Sequence, residues 1–277
     1  MQVMVANRAG FCFGVRRAIK MAFTAARRCP PPIYSLGPLI HNPQVVRRLG
    51  EEGVGVVEDL DEVKGGTVIF RSHGVTLEEM NLAQKRGLKV VDATCPFVKK
   101  AQKYASSLSK KGYLVVIVGD KGHPEVQGIL SYIKGEGLVA GSAQELESLS
   151  GVKKLAVIAQ TTQFYKDFQE VVSQALLVAQ EVRAFNTICD ATYIRQQESV
   201  KLAQEVECMI VIGGYNSANT TRLATLCRQV QPNTHHVETE QELDRRWFAG
   251  VQKVGITAGA STPDWLLVKV KEEVEKI

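Results

Sequence analysis

The chain has 277 residues, 45% of them hydrophobic, which is enough for a sizeable core in one large domain or two to three small ones. Its net charge of +5, from 34 basic and 29 acidic residues spread evenly, argues against a nucleic-acid partner, and it has no arginine-rich tract, RRM-like aromatic pair or zinc-finger spacing. No window approaches the ~20 apolar residues of a membrane span, and the N-terminal "MQVMVANRAG" lacks the regions of a signal peptide; the expectation is a cytoplasmic protein with no membrane partner and reduced cysteines.

In chain order, short β-branched runs predict strands over 2–6, 32–37, 53–57, 67–72, 89–94, 113–120, 137–141, 154–160, 184–188, 208–214, 234–238 and 253–260. Amphipathic patterns predict helices over 14–28, 96–111, 163–180, 192–206, 218–230 and 263–276. Near-continuous apolar runs such as "YLVVIVG" and "CMIVIGG" suit strands covered on both faces of a parallel sheet, and the alternation with helices predicts an α/β fold.

Three places share one design: a strand end, a cysteine, then a helix with basic residues in its first turns. They are "NRAGFCFGVRRAIKMA", "VVDATCPFVKKAQKYA" and "FNTICDATYIRQQESVKLA", around Cys12, Cys95 and Cys189. The spacings are 83 and 94 residues, and 100 across the two termini. Four expected strands fall between the first two cysteines and four between the next two. Three follow Cys189, and strand 2–6 would complete that set. The expectation is three similar small parallel-sheet α/β/α lobes around a pseudo-threefold axis with a central cluster. The lobes would be residues 13–95, 96–188 and 189–277, the last completed by 1–12. Ligands in such sheets sit at the carboxyl ends of the strands.

Three thiolates without a fourth do not make a closed zinc site. They suit a 4Fe–4S cluster with an open apical iron able to bind a substrate oxygen. Helix N-termini and Arg16, Arg17, Lys99 and Lys100 would offset the cluster's negative charge. The plainer alternative is three unrelated buried thiols; the repeated context favours the cluster. Cys208 and Cys227 lack that context and suit the core, and Cys29 precedes a proline turn.

His41 in "LIHNP", His73 in "RSHGV" and His123 in "GHPE" sit in loop-like contexts at strand ends, where they could ligate a metal or, protonated, clamp an anion. His235 and His236 fall in a strand and read as structural. Glu125 directly follows "HP"; if it faces the same cleft it is a candidate proton donor rather than a helix cap. "QTTQ" at 160–163, "GGYNSANTTR" at 213–222 and "GITAGASTPDW" at 255–265 each follow an apolar strand and open a helix. That is a setting for phosphate as well as for ordinary capping. There is no Walker motif and no G-x-G-x-x-G fingerprint, which argues against nucleotide or nicotinamide binding. An iron–sulfur redox sensor and a zinc hydrolase with Cys and His ligands are the competing classes.

"GFCFGV", "HNPQVV", "RSHGV", "VDATCPFV", "GHPEV", "QTT", "CDAT", "NSANTTRL" and "TAGASTPDW" together resemble the 4-hydroxy-3-methylbut-2-enyl diphosphate reductase family, in its order and spacing, from residue 1 to about 268. The resemblance implies two-electron reductive removal of an allylic hydroxyl, yielding isopentenyl and dimethylallyl diphosphates in the last step of the non-mevalonate isoprenoid pathway. It implies Cys12, Cys95 and Cys189 as cluster ligands, and His41, His73 and His123 as diphosphate-cleft histidines. Glu125 then matches the proton-relay glutamate and Thr161 the threonine beside the substrate hydroxyl, while Ser217, Asn219 and Ser261 match diphosphate-binding residues. Many relatives carry a serine where this chain has Ala218, so only a backbone N–H can serve there. The family, and the lack of a flavin or nicotinamide motif, imply a reduced ferredoxin or flavodoxin as electron donor.

Overall fold

The apolar runs become twelve strands in three four-stranded sheets, every pairing parallel, in a computed structural model that describes all residues, Met1–Ile277. The N-terminal sheet in sequence contains β2 (Ile33–Leu36), β3 (Val54–Val57), β4 (Thr67–Phe70) and β5 (Lys89–Asp92), ordered β3-β2-β4-β5. The next contains β6 (Leu114–Val118), β7 (Gly137–Ala140), β8 (Val152–Ala159) and β9 (Ala179–Ala184), ordered β7-β6-β8-β9. The last contains β10 (Cys208–Ile212), β11 (Thr234–Val237) and β12 (Lys253–Ala258), with β1 (Gln2–Val5) on the far side of β12, ordered β1-β12-β10-β11. Each sheet therefore has one strand order, second-first-third-fourth, with β1 as the fourth strand of the last sheet.

That order explains which strands are most apolar. The first and third strands of each set lie inside the sheet and are covered on both faces. Accordingly β4, β10 and nearly all of β6 are buried along their length, as is β8 from Leu155 to Ala159. Burying each Val, Ile or Leu of these strands contributes about 1.5–3 kcal/mol. The helices dock by small residues: α1 (Phe13–Arg28) presents Ala18, Ala22 and Ala25, and α4 (Pro96–Lys110) presents Ala101 and Ala105, all at most 2% exposed. The other helices are α2 (Pro43–Glu51), α3 (Leu77–Lys85), α5 (Pro124–Leu130), α6 (Tyr165–Val178), α7 (Asp190–Glu205), α8 (Ala218–Val230) and α9 (Asp264–Glu275).

One expected strand is misplaced. The apolar run 184–188 is not the ninth strand; β9 is Ala179–Ala184, and it takes the end of the expected helix 163–180. β9 pairs on one side only, with β8, and carries Gln180, Glu181 and Arg183. An edge strand with a wetted face has no continuous apolar run, so its first two residues pass for the end of the helix, 181–183 give no strand signal, and the expected strand begins only at Ala184.

The chain forms two compact units. One comprises Met1–Arg16, Ile40–Arg47 and Asp190–Ile277 and holds the β1-β12-β10-β11 sheet; the other comprises Arg17–Leu39 and Arg48–Cys189 and holds the other two sheets. No helix is long and apolar enough to cross a membrane.

Candidate active site

The three cysteine turns repeat in structure as they do in sequence. Cys12 follows β1, Cys95 follows β5 and Cys189 follows β9, the fourth strand of each sheet, and each residue immediately precedes a helix, α1, α4 or α7. Each cysteine N–H donates to a carbonyl in the loop beyond the neighbouring third strand. Cys12 bonds to Ala260 at 3.2 Å, Cys95 to Ser72 at 2.9 Å and Cys189 to Thr161 at 2.9 Å. Those loops carry Ser261, His73 and Thr161. One backbone bond therefore ties each cysteine to a loop bearing a candidate substrate residue.

All three cysteines are half-buried at the positive end of a helix, and the Val15 N–H points at Cys12 Sγ from 3.5 Å. Such sulfurs suit a soft metal cluster and its negative charge. Cys208 and Cys227 do not: both are fully buried and burial pushes their thiols up to about 12, so they stay protonated in the core.

The turns are braced by charge. Burial would raise the Asp92 carboxyl, but its ion pair with Lys99 and its hydrogen bonds from Thr94 outweigh that and hold it below the usual carboxylate range. Asp92 Oδ1 accepts from the Thr94 N–H at 3.0 Å, and Arg17 Nη1 donates to the Thr94 carbonyl at 3.1 Å, so the residue before Cys95 is fixed from two sides. Before Cys12, the buried Arg195 donates to the carbonyls of Arg8 and Gly10 at 2.9 and 2.7 Å, and Glu198 accepts from the N–H groups of Asn7 and Arg8. Gly10, at φ +90°, makes the reversal that a side chain would strain.

In the larger unit, four of the expected residues meet. Glu125, 2% exposed, accepts from Thr161 twice: from its N–H at 2.6 Å and from its Oγ1–H at 2.8 Å. His123 Nδ1 accepts from the Glu125 N–H at 3.1 Å, which places the proton of the neutral ring on Nε2. The rings of His73 and His123 stand edge to face with centroids 5.6 Å apart, and each offers a nitrogen within 4.8 Å of the other's. With its Nδ1 engaged, His123 presents an Nε2–H, so two imidazoles this close suit donors to an anion.

In the smaller unit, the loops after β10 and β12 converge. Ser217 caps α8 by accepting from the Thr220 N–H at 3.4 Å, and its Oγ lies 3.5 Å from the Ser261 hydroxyl, which donates to the His41 carbonyl at 3.2 Å. Ala218 and Asn219 open the helix, so their N–H groups have no partner within it. The Asn219 Nδ2 is buried and makes no hydrogen bond, a donor left for an acceptor that is not protein. A Cβ on Gly214 would stand 2.6 Å from the His41 carbonyl and one on Gly259 2.0 Å from Thr220 Oγ1, so these loops approach closely only as glycine.

His236 has a place in this loop that its strand setting concealed. It lies on edge strand β11, its Nε2 is 2.8 Å from the Gly213 carbonyl, and its ring packs on Tyr215. Burial is the main cause holding its pKa down, so the neutral ring donates to Gly213 at the head of the "GGYNSAN" turn. Glu238 accepts from the Tyr215 N–H at 2.8 Å. The only sequence signal for this bracing was polar residues in a short strand beside the turn. His235 stacks on Trp247, rings 3.8 Å apart, and is structural.

A sequence model of the LytB protein family matches residues 3–275. A protein of Geobacter metallireducens named 4-hydroxy-3-methylbut-2-enyl diphosphate reductase is 57% identical over 277 residues, covering 100% of this chain and 98% of that one. Its namesake from Geobacter sulfurreducens is 56% identical, with the same coverage. A solved structure described as (E)-4-hydroxy-3-methyl-but-2-enyl diphosphate reductase, the terminal enzyme of the non-mevalonate pathway, is 46% identical over the whole of both chains with a TM-score of 0.74. The Plasmodium falciparum E-1-hydroxy-2-methyl-but-2-enyl-4-diphosphate reductase superposes with a TM-score of 0.91 at 29% identity, over 97% of this chain and 86% of that one.

Proposed function

The chain belongs to the LytB protein family and is an oxidoreductase, and from that premise we propose that it converts 4-hydroxy-3-methylbut-2-enyl diphosphate to isopentenyl and dimethylallyl diphosphates. The C–O bond of the allylic alcohol breaks, two electrons and two protons are taken up, the oxygen leaves as water, and one proton ends on carbon. We read residues 13–95, 96–188 and 189–277 with 1–12 as three lobes; Cys95 ends the first, Cys189 directly follows the second and Cys12 ends the segment that completes the third, and the three would hold a 4Fe–4S cluster. When bound, that cluster supplies electrons and an iron with no protein ligand.

The observation that carries the reading is the buried Glu125–Thr161 pair. A carboxyl group shut away from water and bonded to a hydroxyl is a two-member proton relay: with the carboxyl protonated and the Thr161 hydroxyl turned to accept from it, Glu125 hands its proton to Oγ1, which passes its own to the departing substrate oxygen. The Thr161 carbonyl is bonded to the Cys189 N–H, so the relay sits beside a cluster ligand. At the other end of the substrate, Ser217, Ser261, the Asn219 amide, the Ala218 N–H and the histidines His41, His73 and His123 are donors for a diphosphate. Within each unit these donors are held by the loops that carry them, so little rearrangement of either set is needed to meet an anion. Ala218 offers no hydroxyl, and the N-terminal amide of α8 takes that place. The reaction is placed in the cytoplasm, with a reduced ferredoxin or flavodoxin as donor.

The test is anaerobic reconstitution with iron and sulfide, followed by oxidation of reduced methyl viologen on addition of the hydroxylated diphosphate. The wild type forms both C5 diphosphates. Glu125→Gln, which keeps the shape and removes the acid, slows turnover by about 10²–10⁴-fold with the iron content unchanged. A fully loaded protein that oxidises no viologen overturns the reading.

A further inference from the structure

We propose that the exposed face of α4 and the groove beside it are the docking surface for an acidic one-electron carrier protein. The inference rests on the reductase reading above, because a reductase without a flavin or nicotinamide motif must take its electrons from outside.

The groove has a volume of about 780 Å³ and is lined by one side of α4 with Val75, Met80 and Tyr132 opposite. Lys103, Lys110 and Lys111 stand on its rim, exposed. Helix α4 with Lys111 carries five lysines and no carboxylate, as many charges as the net excess of the entire chain. The one acid at the groove, Asp92, is engaged by Lys99 and the Thr94 N–H and does not neutralise the rim. The exposed Lys103, Lys110 and Lys111 leave a basic rim on a nearly balanced protein, a steering device for a partner of opposite sign.

One further observation selects a redox partner over any other anion. The helix is capped by Cys95, so Lys103, eight residues on, is only about 12 Å along the axis from a proposed cluster ligand. A short route from a charged rim to that ligand suits a transient electron-transfer contact, which needs only a small interface.

The test compares two reductants on the reconstituted enzyme: a reduced acidic ferredoxin and reduced methyl viologen, a small cation that needs no docking surface. In Lys103→Glu/Lys110→Glu, kcat/KM for the ferredoxin falls at least tenfold and loses its salt dependence, while the viologen-driven rate and iron content are unchanged; Lys103→Arg/Lys110→Arg behaves as wild type. Binding of oxidised ferredoxin at low salt, measured by calorimetry, weakens in parallel and reports on the surface without turnover. An unchanged ferredoxin rate and affinity in the charge-reversed variant overturns the docking surface. So does an equal loss with both reductants. A wild type that binds ferredoxin through these lysines yet reduces no substrate overturns the reductase reading alone.

Discussion

At the scale of single residues, position depends on what each side chain is bonded to, and Asp92 shows how little of that is local. It closes the turn before Cys95 and pairs with Lys99 one helical turn into α4. Its folded carboxyl sits below the usual carboxylate range, so the stability it contributes is fully present above the unfolded value of about 3.9 and is lost as pH falls through the folded one. Denaturant midpoints of wild type and Asp92→Asn, measured from pH 7 down to pH 3, should differ most at neutral pH and converge at the acid end. A constant gap would remove the ionised carboxylate from the explanation. The motif "VDATCP" marked this turn from sequence, whereas His236 could not be assigned a role there. Its partner, the Gly213 carbonyl, is 23 residues away and lies beside it only because β11 pairs with β10.

Among elements, the strands with two neighbours were legible and the edges were less so. β6 and β8 are long apolar runs because helices cover both faces of the sheet, and their boundaries fall close to those read from periodicity. β9, wet on one face, is split between the end of an expected helix, an unassigned stretch at 181–183 and the start of an expected strand at 184. The energetic asymmetry follows. Ile158 of β8 is fully buried in the second sheet's core, and Ile158→Ala should cost about 2–5 kcal/mol and lower the melting temperature by several degrees. Val182 of β9 is only half-buried, and its alanine variant should cost less. Thermal melts of the two side by side decide the ranking.

For the molecule as a whole, one strand order used three times places like residues at like positions. Cysteines follow every fourth strand, and the candidate substrate residues follow the first and third strands, where the chain reverses direction across the sheet. β1 is the exception in connectivity, since it joins β12 from the other end of the chain. Removing residues 1–5 should therefore unzip one edge of that sheet and release Cys12 with it. The expected outcome is a lower melting temperature together with less iron bound per chain after reconstitution. Full iron loading in the truncated protein would show that Cys12 keeps its place without β1.

The sequence by itself determined the α/β class, the parallel strands, the threefold repetition of the cysteine turn and the family, because burial on both faces and a residue at a helix start leave local patterns. Tertiary structure alone decided the position of β9, the bracing of the 213–219 turn by His236 and Glu238, and the joining of each cysteine N–H to a loop on the neighbouring strand. It also brought Thr161 onto Glu125 across 36 residues and left the Asn219 Nδ2 buried without a hydrogen bond. These are hydrogen bonds between segments distant in sequence, and no periodicity along the chain encodes which donor will meet which acceptor.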